Sequence, residues 1–274
     1  MRTMIHPQHP ANRAKSAKAA TQPASAGERL SKRVMQLRAC SRREAEQYIA
    51  GGWVQVNGQV VEEPMARVLD QRVSIDPQAS LMAHSEVTLL LHKPPGFETM
   101  AAPGQAGKYV KPAQQLLLPA SHWADDASGI RVLKCHFAKL AACVPLEPAA
   151  SGLVVFTQDW RVLRKLTEDA TVIEHELLAE VRGQVSAALL HRLNTPPASA
   201  RDAGPAVKVS INSTGEASTR LRFAFKGAQP GLIVDRCNGA GLQIDSIKRL
   251  RIGRVTLAHL PEGQWRYLHP QERF

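Results

Sequence analysis

One carboxylate in this sequence stands where a catalytic group can be held. Glu147 is the single acidic residue of the loop Pro145-Leu146-Glu147-Pro148-Ala149-Ala150, and an apolar run at 153–156 follows it closely. A carboxylate just before a buried strand is a place where chemistry can occur. On spacing alone the alternative is a surface glutamate in an ordinary loop, so the neighbouring elements must decide.

The elements around Glu147 predict a domain of mixed helices and strands. Residues 153–156 are apolar throughout, as in a buried strand, and Asp159 then opens a helix. Upstream, the apolar run 87–91 predicts a strand that ends at Lys93-Pro94-Pro95-Gly96, because proline cannot continue a central ladder. Further helices are predicted over 131–140 and 186–193, and further strands over 173–181, 207–211, 219–225 and 242–247.

A smaller unit precedes this domain. Residues 30–37 and 42–50 show helical spacing, and Ser41-Arg42-Arg43-Glu44 has the pattern of a capping box. Gly51 and Gly52 end the second helix, and Asn57-Gly58 is a strong signal for a two-residue hairpin turn. Residues 28–61 therefore predict two helices followed by a hairpin.

The charge balance favours a polyanionic partner. Lys and Arg number 35 against 24 Asp and Glu, a net charge of +11 with a pI near 9.9. Six basic residues and no acidic one occur from residue 29 to 43. Such an excess is typical of nucleic-acid binding, although a basic protein that merely stays soluble is the alternative. The residues predicted to face solvent there and contact phosphate are Arg29, Lys32, Arg33, Arg42 and Arg43.

The remaining composition narrows the class of protein. The four cysteines form no close pair and the ten histidines are scattered, so no metal site is expected and a reducing cytoplasm fits best. No run of about 20 apolar residues predicts a membrane span. No heptad pattern or exposed apolar stripe indicates an oligomer, so we expect a monomer.

These patterns give a domain division. Residues 1–27 are rich in Ala, Pro, Ser and Gln with four basic residues, which predicts a disordered basic tail. A first, basic domain is expected over 28–75 and a linker over 76–86. The second, α+β domain is expected over 87–274.

Motifs in one consistent order carry a resemblance to a known family. In the first domain they are Arg29-Leu30-Ser31-Lys32, Ser41-Arg42-Arg43-Glu44-Ala45, Ile49, Gly52-Trp53-Val54 and Val56-Asn57-Gly58. In the second they are Lys93-Pro94-Pro95-Gly96, Ser151-Gly152-Leu153, Phe156-Thr157-Gln158-Asp159, Ile173-Glu174, Ile247-Lys248-Arg249-Leu250-Arg251-Ile252-Gly253 and Leu260-Pro261 to Arg266. The first set resembles the alpha-L motif, a small RNA-binding module known from a ribosomal protein. With the second set, the chain resembles the bacterial rRNA pseudouridine synthases of the RsuA/RluF type.

The resemblance implies a fold and a reaction. It implies a mainly antiparallel mixed sheet in the second domain and isomerisation of uridine to pseudouridine in ribosomal RNA. One carboxylate attacks a uridine that has left its stack, and neither a metal nor an organic cofactor is implied. Glu147 takes the carboxylate's place. The basic residues expected to hold RNA around it are Lys93, Lys248, Arg249 and Arg251.

The sequence departs from the family where the chemistry lies. Glu147 stands at the family's aspartate, Pro145 at its arginine, Ala150 at its threonine and Leu177 at its tyrosine, while 231–235 replaces a basic run. Glutamate keeps the charge but adds a methylene, and a misplacement of about 1 Å costs on the order of 10²-fold in rate.

Three hypotheses therefore stand. The chain is a pseudouridine synthase with Glu147 as its nucleophile, or an RNA-binding protein of the same fold that has lost catalysis, or an unrelated basic α+β protein. For the enzyme, we expect Glu147 at the mouth of a cleft, near residues 151–153 and the cations of 248–251.

Overall fold

The computed structural model describes residues 27–81, 86–100, 110–195 and 206–274. The chain divides into two compact units, 1–81 and 82–274. The basic tail expected over 1–27 lies outside the described residues, apart from Gly27. Within the described part of the chain, no helix is long and apolar enough to cross a membrane.

The first unit consists of two helices and short strands around a small apolar core. Its elements are β1 (Glu28–Arg29), α1 (Leu30–Leu37), α2 (Arg42–Ala50), β2 (Val54–Val56), β3 (Gln59–Val60), β4 (Arg67–Val68) and β5 (Val73–Ile75). Strand β1 pairs with β4, while β2 pairs with both β3 and β5. Leu30, Val34 and Ile49 are buried at its centre. Leu37, at the end of the same helical spacing, is 53% exposed.

Local signals shape this unit as the sequence predicts. The Ser41 hydroxyl accepts from the Glu44 amide (3.3 Å), and the Glu44 carboxylate accepts from the Ser41 amide (2.6 Å). These bonds close the capping box and lower the pKa of Glu44. Asn57 (φ 52°) and Gly58 (φ 82°) both adopt the positive φ that a type I′ hairpin turn requires.

The first unit extends past the hairpin. The Asp76 amide donates to the carbonyl of Trp53 (2.9 Å), and Ala79 and Leu81 pack against the first unit's core. Residues 76–81, expected as linker, therefore fold with the first unit. The bond to Trp53, which directly precedes β2, and a turn in which the Ala79 amide donates to the Asp76 carbonyl (3.0 Å) hold this segment in place.

The second unit is built on one large sheet. Its strands are β6 (Thr88–Lys93), β7 (Phe97–Glu98), β8 (Lys111–Pro112), β9 (Ala141–Ala142), β10 (Ser151–Thr157), β11 (Glu174–Arg182), β12 (Val207–Thr214), β13 (Ser218–Lys226), β14 (Ile244–Ile252), β15 (Val255–Thr256) and β16 (Trp265–Tyr267). Its helices are α3 (Trp160–Glu168), α4 (Ala187–Asn194) and α5 (Leu232–Gly239). The strand order in the large sheet is β12-β13-β11-β14-β10-β6-β16, with β15 on β14 and β9 on β10, while β7 and β8 form a separate two-stranded sheet. The expected α+β class with a mainly antiparallel mixed sheet is confirmed.

Strands β10 and β14 form the parallel pair of this sheet, with Gly152 opposite Arg249. Gly152 has φ 113°, and a Cβ there would lie 2.3 Å from the Arg249 carbonyl oxygen. Only glycine allows so close an approach. The close pairing brings the start of β10, and the loop before it, against Arg249.

Two apolar cores lie on opposite sides of the central strands. Leu89 and Leu91 belong to one core and Leu90 to the other. Strand β10 divides in the same way, with Val154 and Val155 in different cores. Successive residues of a strand point to opposite faces, so β6 and β10 are apolar in continuous runs because both faces are covered.

One predicted helix is absent, and one observed helix was not predicted. Residues 131–140 contain only a 3₁₀ turn, Lys134–Phe137, where a longer helix was expected. The Gln158 side-chain amide donates to the carbonyls of Cys135 and Ala138 (2.7 Å each), so tertiary bonds take acceptors that a continuing helix would need. In contrast, the sequence did not predict α5, the helix that begins directly after Gly231.

Candidate active site

Glu147 lies half-buried in the loop before β10 and faces the start of α5. One carboxylate oxygen accepts a hydrogen bond from the backbone N–H of Gly231 (2.5 Å). Gly231 is the N-cap of α5 and has φ 86°. The unpaired amides at a helix N-terminus favour a negative charge, so this contact gives the carboxylate a fixed direction.

Arg249 of β14 holds the first half of the Glu147 loop. Its guanidinium, only 2% exposed, donates to the carbonyls of Leu153 (2.7 Å), Pro145 (2.8 Å) and Val144 (3.2 Å). Burial lowers the pKa of Arg249, while attraction to Glu147 opposes that change. Arg249 therefore contacts the loop from the neighbouring strand β14, whereas the family has an arginine within the loop itself.

Lys93 holds the second half of the loop. The side chain is 0% exposed, and its ammonium donates to the carbonyls of Ala150 (2.5 Å), Pro94 (3.1 Å) and Pro148 (3.3 Å). Burial, and then repulsion from Arg249, lower the pKa of Lys93 to about 8, while Glu147 acts in the opposite direction. Two buried cations thus fix the loop on both sides of one carboxylate.

These positions correct two of the expected RNA contacts. The Lys93 and Arg249 side chains are buried and donate hydrogen bonds to backbone carbonyls, so neither presents its charge to a phosphate on the surface. Arg251 is a quarter exposed and pairs with Glu174 and with Glu176 (3.2 Å). Lys248 is half-buried on the same strand. Of the three β14 cations named in the sequence, Arg249 is the one that bonds to the Glu147 loop.

A small cavity of about 20 Å³ lies beside Glu147. It holds about one water molecule, which is less than a pyrimidine ring requires. Its walls come from the Glu147 loop, from β11 and β13, and from the turn before α5. The residues that line it include Glu147, His175, Leu177, Phe225, Gln229 and Arg249. Leu177 thus borders the cavity at the position of the family's tyrosine.

The basic residues predicted in the first unit lie on its surface to different degrees. Lys32, Arg42 and Arg43 are exposed, whereas Arg29 and Arg33 are half-buried. Arg29, Lys32 and Arg42 line one surface depression. Acidic residues just outside the basic run compensate part of the charge, since Glu28 pairs with Arg33 and Glu46 with Arg42 (2.9 Å).

Sequence reasoning missed two features of the site. The Gly231 amide is a backbone group, and no side-chain pattern marks it. His175 does have a signal, because it occupies an inward position of β11 in register with the buried Leu177, Ala179 and Val181. A polar side chain in such an alternating apolar series indicates a site or a buried hydrogen bond.

Comparisons with known proteins agree with this architecture. Residues 28–71 match the S4 domain. The ribosomal large subunit pseudouridine synthase B of Haemophilus influenzae is 25% identical over 251 residues, which are 90% of this chain and 66% of that protein. The dual-specificity RNA pseudouridine synthase RluF of Escherichia coli is 24% identical over 255 residues, 89% of this chain and 76% of that protein.

A solved structure supports the same fold. The crystal structure of a pseudouridylate synthase superposes with a TM-score of 0.51 at 17% identity, covering 88% of this chain and 95% of that one. An S4 RNA-binding domain followed by a pseudouridine synthase fold defines the class of protein. Within this class, the chain is similar to RluF and to the large subunit pseudouridine synthase B, and it spans about two thirds of the length of the Haemophilus relative.

Proposed function

We propose that this protein isomerises uridine to pseudouridine in ribosomal RNA, with Glu147 as the nucleophilic carboxylate. In this reaction the N1–C1′ bond breaks, a C5–C1′ bond forms, C5 loses a proton and N1 gains one. Atoms and electrons balance within the nucleotide, so the reaction requires no oxidant, reductant or group donor. The observation that carries the proposal is the fixed position of Glu147 between Lys93 and Arg249.

Pre-organisation of that carboxylate is the main support. Residues 144–150 are held by partners on nearly every carbonyl, including the Thr99 hydroxyl on Leu146 (3.3 Å) and the Gly96 amide on Pro148 (2.8 Å). A loop with no other role would not need two fully buried cations beneath it, because burying a charge is costly. Catalytic groups gain most from this kind of fixed placement.

The first unit supplies the RNA contact in this proposal. Arg29, Lys32, Arg33, Arg42 and Arg43 would bind phosphates, and Lys248 and Arg251 would add contacts on the second unit. Ribosomal RNA is proposed as the substrate because the curated relatives include ribosomal large subunit enzymes. We further propose a cytoplasmic monomer, since the scattered cysteines fit a reducing compartment.

A specific observation favours a second candidate, an RNA-binding protein of this fold without catalysis. The cavity beside Glu147 has room for about one water, and the carboxylate is already bonded to the Gly231 amide. Leu177 also lacks the ring and hydroxyl of the family's tyrosine. Under this reading the loop persists as a structural element of an RNA-binding surface.

Two substitutions at Glu147 separate the candidates. Glu147→Gln keeps the size of the side chain and removes the nucleophile, so pseudouridine formation should fall on the order of 10³-fold or more while RNA binding persists. Glu147→Asp restores the family's residue, so activity should persist or rise if reach is the only difference.

The measurement is mass-spectrometric mapping of pseudouridine in ribosomal RNA from cells with and without the gene, followed by assays on naked rRNA and ribosomal subunits. If the unchanged protein and both variants give no product on any of these substrates, the isomerase proposal fails. The RNA-binding candidate then stands, provided that the protein still binds the RNA.

A further inference from the structure

His175 is an imidazole in an apolar part of the second unit. It lies on β11, 2% exposed, and faces inward with Leu177, Ala179 and Val181. Its ring stacks on Phe225 of the neighbouring strand, with centroids 6.3 Å apart and planes 25° from parallel. The stacking fixes the ring orientation, so the nitrogens point in defined directions.

One of those nitrogens is unsatisfied. Among the residues that the structure describes, Nδ1 of His175 is buried and has no hydrogen-bond partner. Most buried polar groups in native proteins are paired, and an unpaired one typically costs about 1–3 kcal/mol. Packing against Phe225 does not explain a histidine here, because phenylalanine would pack equally well at no such cost.

The ring is neutral at neutral pH. Burial, and then the positive charges of Arg249 and Arg251, lower the pKa of His175 to about 3. A neutral imidazole carries one donor and one acceptor nitrogen. Nδ1 can therefore pair with either a donor or an acceptor, according to the tautomer.

His175 lines the cavity that contains Glu147. One wall of this cavity is the turn Ala228-Gln229-Pro230, which lies between Gly227 (φ 84°) and Gly231 (φ 86°). Glycine tolerates both signs of φ, so a shift of this turn meets little backbone resistance at either end. A base needs more room than the cavity of about 20 Å³ beside Glu147, so entry of a base requires this turn to move and the bond from the Gly231 amide to Glu147 to open.

We propose that His175 reads the pyrimidine that enters beside Glu147, with its free ring nitrogen hydrogen-bonded to the polar edge of the base. This inference rests on the proposed function. Uracil offers an N3–H donor flanked by two carbonyl acceptors, and a neutral imidazole can match either kind of group. Since Leu177 provides no hydroxyl, recognition passes to the next inward position of the same strand.

Three variants test the proposal. His175→Phe keeps the stacked ring and removes both nitrogens, while His175→Asn keeps a polar atom near the Nδ1 position. His191→Phe, at an exposed histidine of α4, is the matched control. Release of tritium from rRNA transcripts labelled at C5 of uridine reports product, and a filter-binding assay on the same transcripts reports affinity.

We expect His175→Phe to lower kcat/KM by about 10- to 100-fold, equivalent to losing one buried hydrogen bond, with RNA affinity nearly unchanged. His175→Asn should recover most of that loss, which a purely structural role would not predict. The control should match the unchanged protein. If His175→Phe is as active as the unchanged protein, Nδ1 faces only a trapped water and the inference is wrong.

A second measurement is independent of catalysis. The ¹⁵N resonance of His175 Nδ1 should shift when uridine 5′-monophosphate is added and remain in place with the ribose 5-phosphate that lacks a base. A shift without any tritium release would mean that the base is read but not isomerised, so only the proposed function fails. No shift with the uridine nucleotide would overturn the role of His175.

Discussion

Lys93→Met should change the pH dependence of stability in a direction that the structure fixes. Lys93 is fully buried, and its ammonium is bonded to three backbone carbonyls below the Glu147 loop. Methionine retains the stem of the side chain and removes the charge. The substitution therefore isolates the ionisation of one buried group.

The magnitude follows from the pKa. Folding lowers the pKa of Lys93 from 10.5 to about 8, chiefly because the ammonium is buried. Between these values the unfolded chain keeps the proton that the folded chain releases, so stability rises with pH. The difference of about 2.5 pH units corresponds to roughly 3 kcal/mol gained between pH 8 and 10.5. Below pH 8 the contribution of Lys93 no longer changes with pH.

The assay is urea denaturation of the full chain at several pH values, with unfolding monitored by tryptophan fluorescence. The variant's free energy of unfolding is subtracted from that of the unchanged protein. Contributions from ionisable groups that both proteins share then cancel. We expect this difference to rise by about 1.4 kcal/mol per pH unit above pH 8. Lys208→Met, at an exposed lysine of β12, should give a flat difference. If the difference for Lys93→Met is also independent of pH, the reasoning that burial lowers the pKa of Lys93 is wrong.

Two further predictions concern the RNA surface and the fold. Replacing Arg42 and Arg43 with Ala should weaken binding to all RNA sequences alike and reduce the slope of log K against log salt by about 1.5; an unchanged slope in filter binding would put the RNA elsewhere. Gly152→Ala should cost on the order of 4 kcal/mol in urea denaturation, because its Cβ would clash with the Arg249 backbone, whereas Gly183→Ala, also at positive φ but in open space, should cost only about 1 kcal/mol. Equal costs at the two glycines would contradict the close pairing of β10 and β14.

The sequence by itself determined several of the local elements and, through its resemblance to a known family, the class of protein. Ser41 and Glu44 form their capping box within four residues, and Asn57-Gly58 sets its turn from two adjacent conformations. The strand at 153–156 was predictable because a continuous apolar run needs cover on both faces. These signals depend on neighbours in the chain, so no tertiary information was required.

Tertiary structure decided the direction of the charged side chains. Basic residues at 93 and 248–251 predicted cations near Glu147, but the sequence could not say which of them face the core. Regular alternation would put Arg249 and Arg251 on the same face, but the pairing of β14 with β11 is irregular between them, with Leu177 opposite Arg249 and Glu176 opposite Arg251. The parallel pairing of Gly152 with Arg249 turns that arginine under the loop, whereas Arg251 is paired with glutamates of β11.

The same reason limits what could be known of the site. The bond between Glu147 and the Gly231 amide joins residues 84 positions apart, and a backbone N–H leaves no trace in the sequence. His175 could be found as a polar residue at an inward position, but its free nitrogen emerges only when every neighbour is in place. Long-range contacts determine which groups of this site are satisfied and which remain available to a substrate.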